Sequence, residues 1–258
     1  SLHDALPISF FSANQKTSSV GGLAIFKIVS QDPWHVERMF FKSFKAQATC
    51  VHFEPESNFL AIGLSSGKIR IFEIPKNFTF VKGVVYESSI IKAHSGQING
   101  VRMDPVLGYV YSIGKDGKLW VSDRTSCEVY WSKQFDRFEL TSMYFDQPNK
   151  RMLIGDSTGV IHVFSIKKYP PKRITSIRTS VPLSINTIIC STDHNKLFAG
   201  TSDGSILCFD LGEYGKEKKE TQEYTYHLKG KKKCVTLCWD ESSNGLLSGN
   251  ESGNIAVW

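Results

Sequence analysis

Cysteine, histidine and lysine are the side chains here whose chemistry could define a site. The six cysteines, Cys50, Cys127, Cys190, Cys208, Cys234 and Cys238, are scattered and form no CxxC pair, the spacing that a thiolate zinc site or a redox dithiol requires. Most fall in apolar alternating segments, where cysteine acts as a small apolar residue. Cys234 and Cys238 are four apart on an expected strand, a same-face spacing that reads as core packing rather than ligation. This usage fits a reducing compartment, with no cofactor expected in this segment. The seven histidines, His3, His35, His52, His94, His162, His194 and His227, stand one by one. No GxSxG, HExxH or GxxxxGK[ST] motif occurs, nor a clustered carboxylate pair whose setting suggests shifted pKa values, so enzymatic readings fare poorly. Only His94 stands out, and a repeat explains it as a structural turn histidine.

The lysines suggest contact instead of catalysis. Formal net charge is +6, and KGKKK (229 to 233) places Lys229, Lys231, Lys232 and Lys233 together. GKEKKE (215 to 220) and IKKYPPKR (166 to 173) add to them. Loop lysines can meet anionic lipid headgroups, at roughly 1 kcal/mol each. The competing reading is a solvated loop, because Glu213, Glu217, Glu220 and Glu223 interleave with lysines in the long insertion. Nucleic acid is disfavoured, since no aromatic stacking platform accompanies the charge. No run approaches the roughly 18 apolar residues that span a bilayer, and 41% hydrophobic with 22% charged residues suits a folded globular array.

The elements that would carry these residues repeat. GLSSGKIRIFEI (63 to 74), GKDGKLWVSD (114 to 123), GDSTGVIHVFSI (155 to 166), GTSDGSILCFDL (200 to 211) and GNESGNIAVW (249 to 258) share one pattern, and SVGGLAIFKI (19 to 28) is a looser copy. A glycine is followed by apolar residues two and four places on, and usually by an aromatic at the fifth. The glycines are Gly21, Gly67, Gly117, Gly159, Gly204 and Gly253, at intervals of 46, 50, 42, 45 and 49 residues. Alternation points the apolar residues to one face of a strand, and the small polar cluster before each glycine is the chemistry of a tight turn. Upstream lies a second apolar pair joined by turns such as EPES, DPVLG, DQPN, TDHN and DESSNG, rich in residues that pre-set turn dihedrals. Each unit is therefore a three-strand meander plus a segment that can hold a fourth strand.

A repeated four-stranded unit of about 40 to 45 residues is the signature of a β-propeller blade, and the chain resembles the WD-repeat family. IIKAHSGQINGVRMDP (90 to 105) is similar to the family's Gly-His lead-in, with Ala93-His94 in its place. YHLKGKKKCVTLCWD (226 to 240) keeps Gly230 and Val235 but has Lys231 where the histidine would be. Phe72, Phe164, Phe209 and Trp258 match the strand-ending Trp position, and Asp116 and Asp203 match the turn aspartate six residues earlier. The family's His, Ser or Thr, Asp and Trp network is complete in no blade: the third has His94 and Asp116 but Ser122 at the Trp site, and the fifth has Thr201 and Asp203 but Phe209. Phe cannot donate the indole's hydrogen bond, so these blades are expected to lean on apolar packing.

The order of departures is most similar to the WD-repeat and FYVE-domain proteins: an early strand and short linker with Trp34, a second blade without histidine, an Ala-His lead-in after FTFVKGVVYESSIIKAH (78 to 94), a third blade lacking Trp, and a sixth ending in GxIAVW. The resemblance covers about residues 19 to 258 and implies an all-β propeller with about six blades of seven in an incomplete ring, third strands near 21–28, 67–74, 117–124, 159–166, 204–211 and 253–258. It implies a cytoplasmic scaffold, fragmentary here, that binds proteins on its faces and is recruited to early endosomes by phosphatidylinositol 3-phosphate. The FYVE finger and its zinc would follow Trp258, so none of its ligands can be carried over. The alternative is a WD-repeat subunit of an RNA-processing or ubiquitin-ligase complex with no membrane role. SLHDALPIS (1 to 9) fits no blade and reads as the translated end of a sequencing adapter, to be excluded from fold reasoning. The propeller segment is then 10–258, and neither end need be a true terminus.

Overall fold

The computed structural model describes residues 8–14, 21–31, 34–75, 85–180, 182–193, 195–211, 223–227 and 232–258. Two compact units, Ser1–Gln134 and Phe135–Trp258, hold three antiparallel meander sheets each among those residues.

In the first unit, sheet 1 is β1 (Ile8–Asn14), β2 (Gly21–Gln31) and β3 (Trp34–Phe44). Sheet 2 is β4 (Ala48–Glu54), β5 (Phe59–Leu64), β6 (Lys68–Glu73) and β7 (Tyr86–Lys92). Sheet 3 is β8 (Ile98–Met103), β9 (Tyr109–Gly114), β10 (Lys118–Asp123) and β11 (Val129–Gln134). The stretch around Trp34, expected as a linker, is strand: β3 pairs with β2 from Trp34 opposite Gln31 to Phe44 opposite Gly21. No Gly or Pro interrupts residues 34–44, so nothing there breaks a ladder. β1 begins at Ile8, inside the segment that the sequence sets aside, and residues 1–7 lie outside the described residues.

The second unit repeats the plan. Sheet 4 is β12 (Leu140–Asp146), β13 (Arg151–Asp156), β14 (Val160–Ser165) and β15 (Lys172–Arg178). Sheet 5 is β16 (Ile185–Cys190), β17 (Lys196–Thr201), β18 (Ser205–Asp210) and β19 (Glu223–His227). Sheet 6 is β20 (Cys234–Asp240), β21 (Gly245–Asn250) and β22 (Ile255–Val257). Among the described residues no sheet combines strands from β1–β3 with strands from β20–β22, so hydrogen bonding does not close a ring.

The middle strands read as continuous apolar runs because both faces are buried. In β5, Leu60, Ile62 and Leu64 pack with Leu23 and Ile25 of sheet 1, while Ala61 faces Ile98 and Val101 of sheet 3. In the second unit Ile161 and Val163 pack with Ile185 and Leu197, and Ile206 and Cys208 pack with Cys234 and Leu246. Each fully buried Ile or Leu contributes about 1.5–3 kcal/mol relative to exposure.

Small residues let the sheets approach. A Cβ added at Gly63 would lie 2.7 Å from Ile98, and one at Gly155 2.7 Å from Ile185. The first strand of every sheet from β4 to β20 also shifts register near its start, leaving Thr49, Asn99, Thr141, Asn186 and Val235 as extra residues. Two of these bulges reach the next sheet: Thr49 Oγ1 donates to Ile98 O at 2.6 Å, and Thr141 Oγ1 to Ile185 O at 2.6 Å. The bulge at Val235 also revises the cysteine expectation. It shifts the alternation between Cys234 and Cys238, so Cys234 is buried and Cys238 exposed, and the two do not share a face.

Candidate functional site

In sheets 2, 4 and 5 the glycine turn lies against the connection leading to the next sheet, as at Gly67 with His94, Gly159 with Thr179 and Gly204 with Lys232, and sheets 3 and 6 carry the equivalent turn. Gly67, Gly117, Gly159, Gly204 and Gly253 all take positive φ there, at 77°, 69°, 85°, 88° and 83°. Gly67 shows why: its carbonyl accepts from His94 N–H at 3.1 Å, and an added Cβ would sit 2.0 Å from His94 O. Gly204 likewise lies beneath Lys232, whose carbonyl oxygen would be 2.5 Å from such a Cβ.

His94 thus spans two sheets. Its backbone holds the turn of sheet 2, while its ring meets Asp116 Oδ1 at 2.8 Å through Nδ1 and Ser112 Oγ at 2.9 Å through Nε2 in sheet 3. A carboxylate only accepts, so Nδ1 carries the proton. Burial pushes the ring below the usual histidine pKa against the opposing pull of Asp116, so the neutral ring takes the Ser112 hydroxyl proton in a hydrogen bond at Nε2. Ser, His and Asp in this order have the connectivity of a hydrolase triad. Here, however, Ser112 is 0% exposed and the His94 side chain 0%, so no substrate carbonyl could reach the hydroxyl. The arrangement is a lock.

Asp116 also accepts from Ser95 N–H at 3.2 Å and Lys118 N–H at 3.2 Å, closing its own turn. Asp203 accepts from Thr201 Oγ1 at 2.6 Å and Ser205 N–H at 3.0 Å. Burial opposes that carboxylate, but these donors outweigh it and hold its pKa below the ordinary value. Ser122 is fully buried at the aromatic position of β10, and its hydroxyl finds no partner among the described residues. Phe72, Phe164 and Phe209 fill the same position elsewhere and are buried, whereas Trp258 donates Nε1–H to Ser248 Oγ at 2.9 Å.

The sequence reading missed several of these groups. Ser112 lies four residues before Asp116, which shares its partner His94, and Ser248 lies ten before its own partner Trp258, spacings visible in SIGKD and SGNESGNIAVW. Sheet 4 holds a network with no such signal. Asp156 accepts from His162 Nε2–H at 2.9 Å, from Thr158 N–H at 2.7 Å and from Val160 N–H at 3.0 Å. Burial raises its pKa, yet these donors prevail and hold it below the ordinary range. The His162 ring stacks on Phe138 with centroids 5.9 Å apart and reaches Ser176 Oγ of β15 at 3.3 Å. Polar locking therefore accompanies apolar packing in this sheet, beyond the apolar packing that the sequence suggested.

Four of the cysteines are held as thiols by burial, Cys208 among them. Burial pushes the thiols of Cys50 and Cys234 to about 11 and that of Cys190 to about 12, leaving them un-ionised at neutral pH. Among the described residues no three His, Cys, Asp or Glu side chains are placed to hold a metal ion.

The lysine expectations divide. Lys229 and Lys231 lie outside the described residues, while Lys232 and Lys233 are exposed at the glycine-turn end, where Lys233 O accepts from Glu251 N–H at 3.0 Å. IKKYPPKR lies at the opposite end of sheet 4, between β14 and β15. The first strands of sheets 4 and 5 are neighbours, joined at their starts where Thr141 Oγ1 donates to Ile185 O, and those of sheets 5 and 6 are neighbours in turn. These two basic segments therefore occupy opposite ends of the second unit.

A chain of six successive antiparallel meanders, most with a fourth outer strand and glycine turns beneath the connection to the next sheet, overlays a solved chain described as "Crystal Structure of Mitotic Checkpoint Complex" with a TM-score of 0.74, at 13% identity, covering 96% of this chain and 74% of that one. The fold is a WD-repeat β-propeller. No family model matches the chain. Over 212 residues it is 25% identical to WD repeat and FYVE domain-containing protein 2 of Caenorhabditis briggsae, covering 81% of this chain and 47% of the relative. It is 19% identical over 219 residues to WD repeat and FYVE domain-containing protein 1 of Mus musculus, and 23% identical over 172 residues to cleavage stimulation factor subunit 50 of Arabidopsis thaliana. The chain spans about half the length of the first two relatives, 47% and 50%. In WD-repeat terms, the third blade keeps the His, Ser and Asp of the lock without its Trp, and the sixth keeps Ser and Trp without the His.

Proposed function

We propose that this chain is the propeller segment of a non-enzymatic adaptor that binds proteins on its blade ends and is recruited, from the cytoplasm to early endosomes, by a FYVE finger that binds phosphatidylinositol 3-phosphate. The observation that carries the reading is the similarity to WD repeat and FYVE domain-containing proteins, over 81% of the chain for a nematode relative and 67% for mouse and human relatives. The geometry agrees with a scaffold: the Ser112–His94–Asp116 constellation is sealed from solvent and holds neighbouring blades in place. Among the described residues no helix is long and apolar enough to cross a membrane. Zinc belongs to the FYVE finger, outside this chain.

A fluorescent fusion expressed from the complete transcript tests this. It is expected on vesicles that carry a phosphatidylinositol 3-phosphate reporter, and to disperse when the lipid kinase is inhibited. Unchanged diffuse or nuclear signal would sink the reading. Nuclear signal would favour the second one, a subunit of an RNA-processing or other multiprotein complex, which the similarity to cleavage stimulation factor subunit 50 supports.

A further inference from the structure

We infer that the fourth blade presents a second membrane-contact surface, at the end away from its glycine turn, fitted to an anionic lipid bilayer. It is assembled from two segments separate in sequence. The turn between β12 and β13 supplies Lys150, and the connection into β15 supplies Lys167, Lys168, Lys172 and Arg173, all exposed. Ile166 N–H donates to Lys150 O at 2.9 Å, which joins the two. Ladder register finishes the cluster, with Arg151 opposite Ser165 and Ser165 opposite Lys172.

Nothing acidic in this blade offsets the charge at that end. Residues 157–192 contain no Asp or Glu. Asp146 is buried and occupied by Arg151, which ion-pairs with it, and by Asn149 Nδ2–H at 3.0 Å. Asp156 is buried at the other end on His162. In the neighbouring fifth blade, Asp210 faces Lys196 at 3.8 Å, and Asp193 accepts from Asn195 N–H at 3.1 Å and from Ser191. Five exposed cations on two adjoining loops therefore meet solvent as one field.

The occupant follows from shape and chemistry. An outer strand that carries lysine and a bulge, as β15 does between Arg173 and Thr175, resists pairing with an added peptide strand. A nucleic-acid strand would need successive aromatic platforms, and the exposed aromatic of this loop is Tyr169, 39% exposed. A bilayer needs only a projecting basic surface, with a phenol ring suited to the headgroup level. The inference does not depend on the FYVE reading, and it moves membrane contact away from Lys232 and Lys233, since one flat bilayer cannot meet both ends.

Co-sedimentation of the 258-residue chain with vesicles tests it. Binding is expected to phosphatidylcholine vesicles containing phosphatidylserine, with or without phosphatidylinositol 3-phosphate, and not to phosphatidylcholine alone. Lys150→Glu combined with Lys167→Glu and Lys168→Glu should weaken it by about a hundredfold, at about fivefold per lost lysine. The corresponding Arg variants should bind as the parent does, and so should Lys232→Glu with Lys233→Glu. Binding insensitive to the first set, loss confined to the Lys232 and Lys233 variant, or retention of an acidic peptide or RNA oligomer without vesicle binding would each overturn the assignment.

Discussion

Ser112 and Ser122 lie ten residues apart in the third blade, both 0% exposed, yet only Ser112 has a partner. Ser112→Ala should destabilise the protein by about 1–2 kcal/mol, because it leaves His94 Nε2 buried without its donor. Ser122→Ala should be neutral or stabilising, since it removes an unpaired buried hydroxyl. Chemical denaturation of the two variants gives the comparison. His52 sets a pH dependence. Burial, with Arg102 nearby, pushes its pKa down to about 3, whereas in an unfolded chain it lies near 6.5. Between those values the unfolded chain holds a proton that the folded chain does not, so the stabilisation is full above pH 6.5 and declines as pH falls. The slope is at most about 1.4 kcal/mol per pH unit, and His52→Gln should flatten it in urea melts at stepped pH. At this scale the sequence was half legible. Asp116 and His94 stand in the repeat and could be found by position, but Asp156 and His162 meet across a turn and a strand in no recurring pattern.

The glycine turns show what the elements demand. Gly67 and Gly253 share a positive φ, 77° and 83°, but a Cβ on Gly67 would collide with His94 O at 2.0 Å while one on Gly253 meets nothing within 4 Å. Gly253→Ala should therefore cost only the left-handed conformation, about 1–2 kcal/mol. Gly67→Ala should cost distinctly more, because the His94 connection must move as well. Thermal unfolding of the pair separates conformation from contact. Strand order and turn positions were readable, because alternation and turn chemistry are local. The close approach at Gly63 and Gly155, and the bulges at Thr49 and Thr141, were not, because each answers to a neighbouring sheet rather than to its own sequence.

Across the whole molecule the repeat exposes one contrast. Positions two and four after the turn glycine are buried at Ile69, Ile71, Ile161, Val163, Ile206 and Cys208, but Ile255 is 75% exposed and Val257 71%. Ile206→Asn should cost several kcal/mol through burial of an unpaired amide, and Ile255→Asn less than about 0.5 kcal/mol, with improved solubility of this chain. The apolar stripe was legible in the sequence as a repeat; its exposure in one copy was not. Function was legible only as a resemblance, because a propeller supplies surfaces and its partners are chosen by sites grafted on them. The most direct measurement is the transcript read 3′ of the Trp258 codon. The account predicts several CxxC pairs with a basic RxHHCR-like motif, followed by a last blade; a seventh blade following directly, without those cysteines, would contradict it.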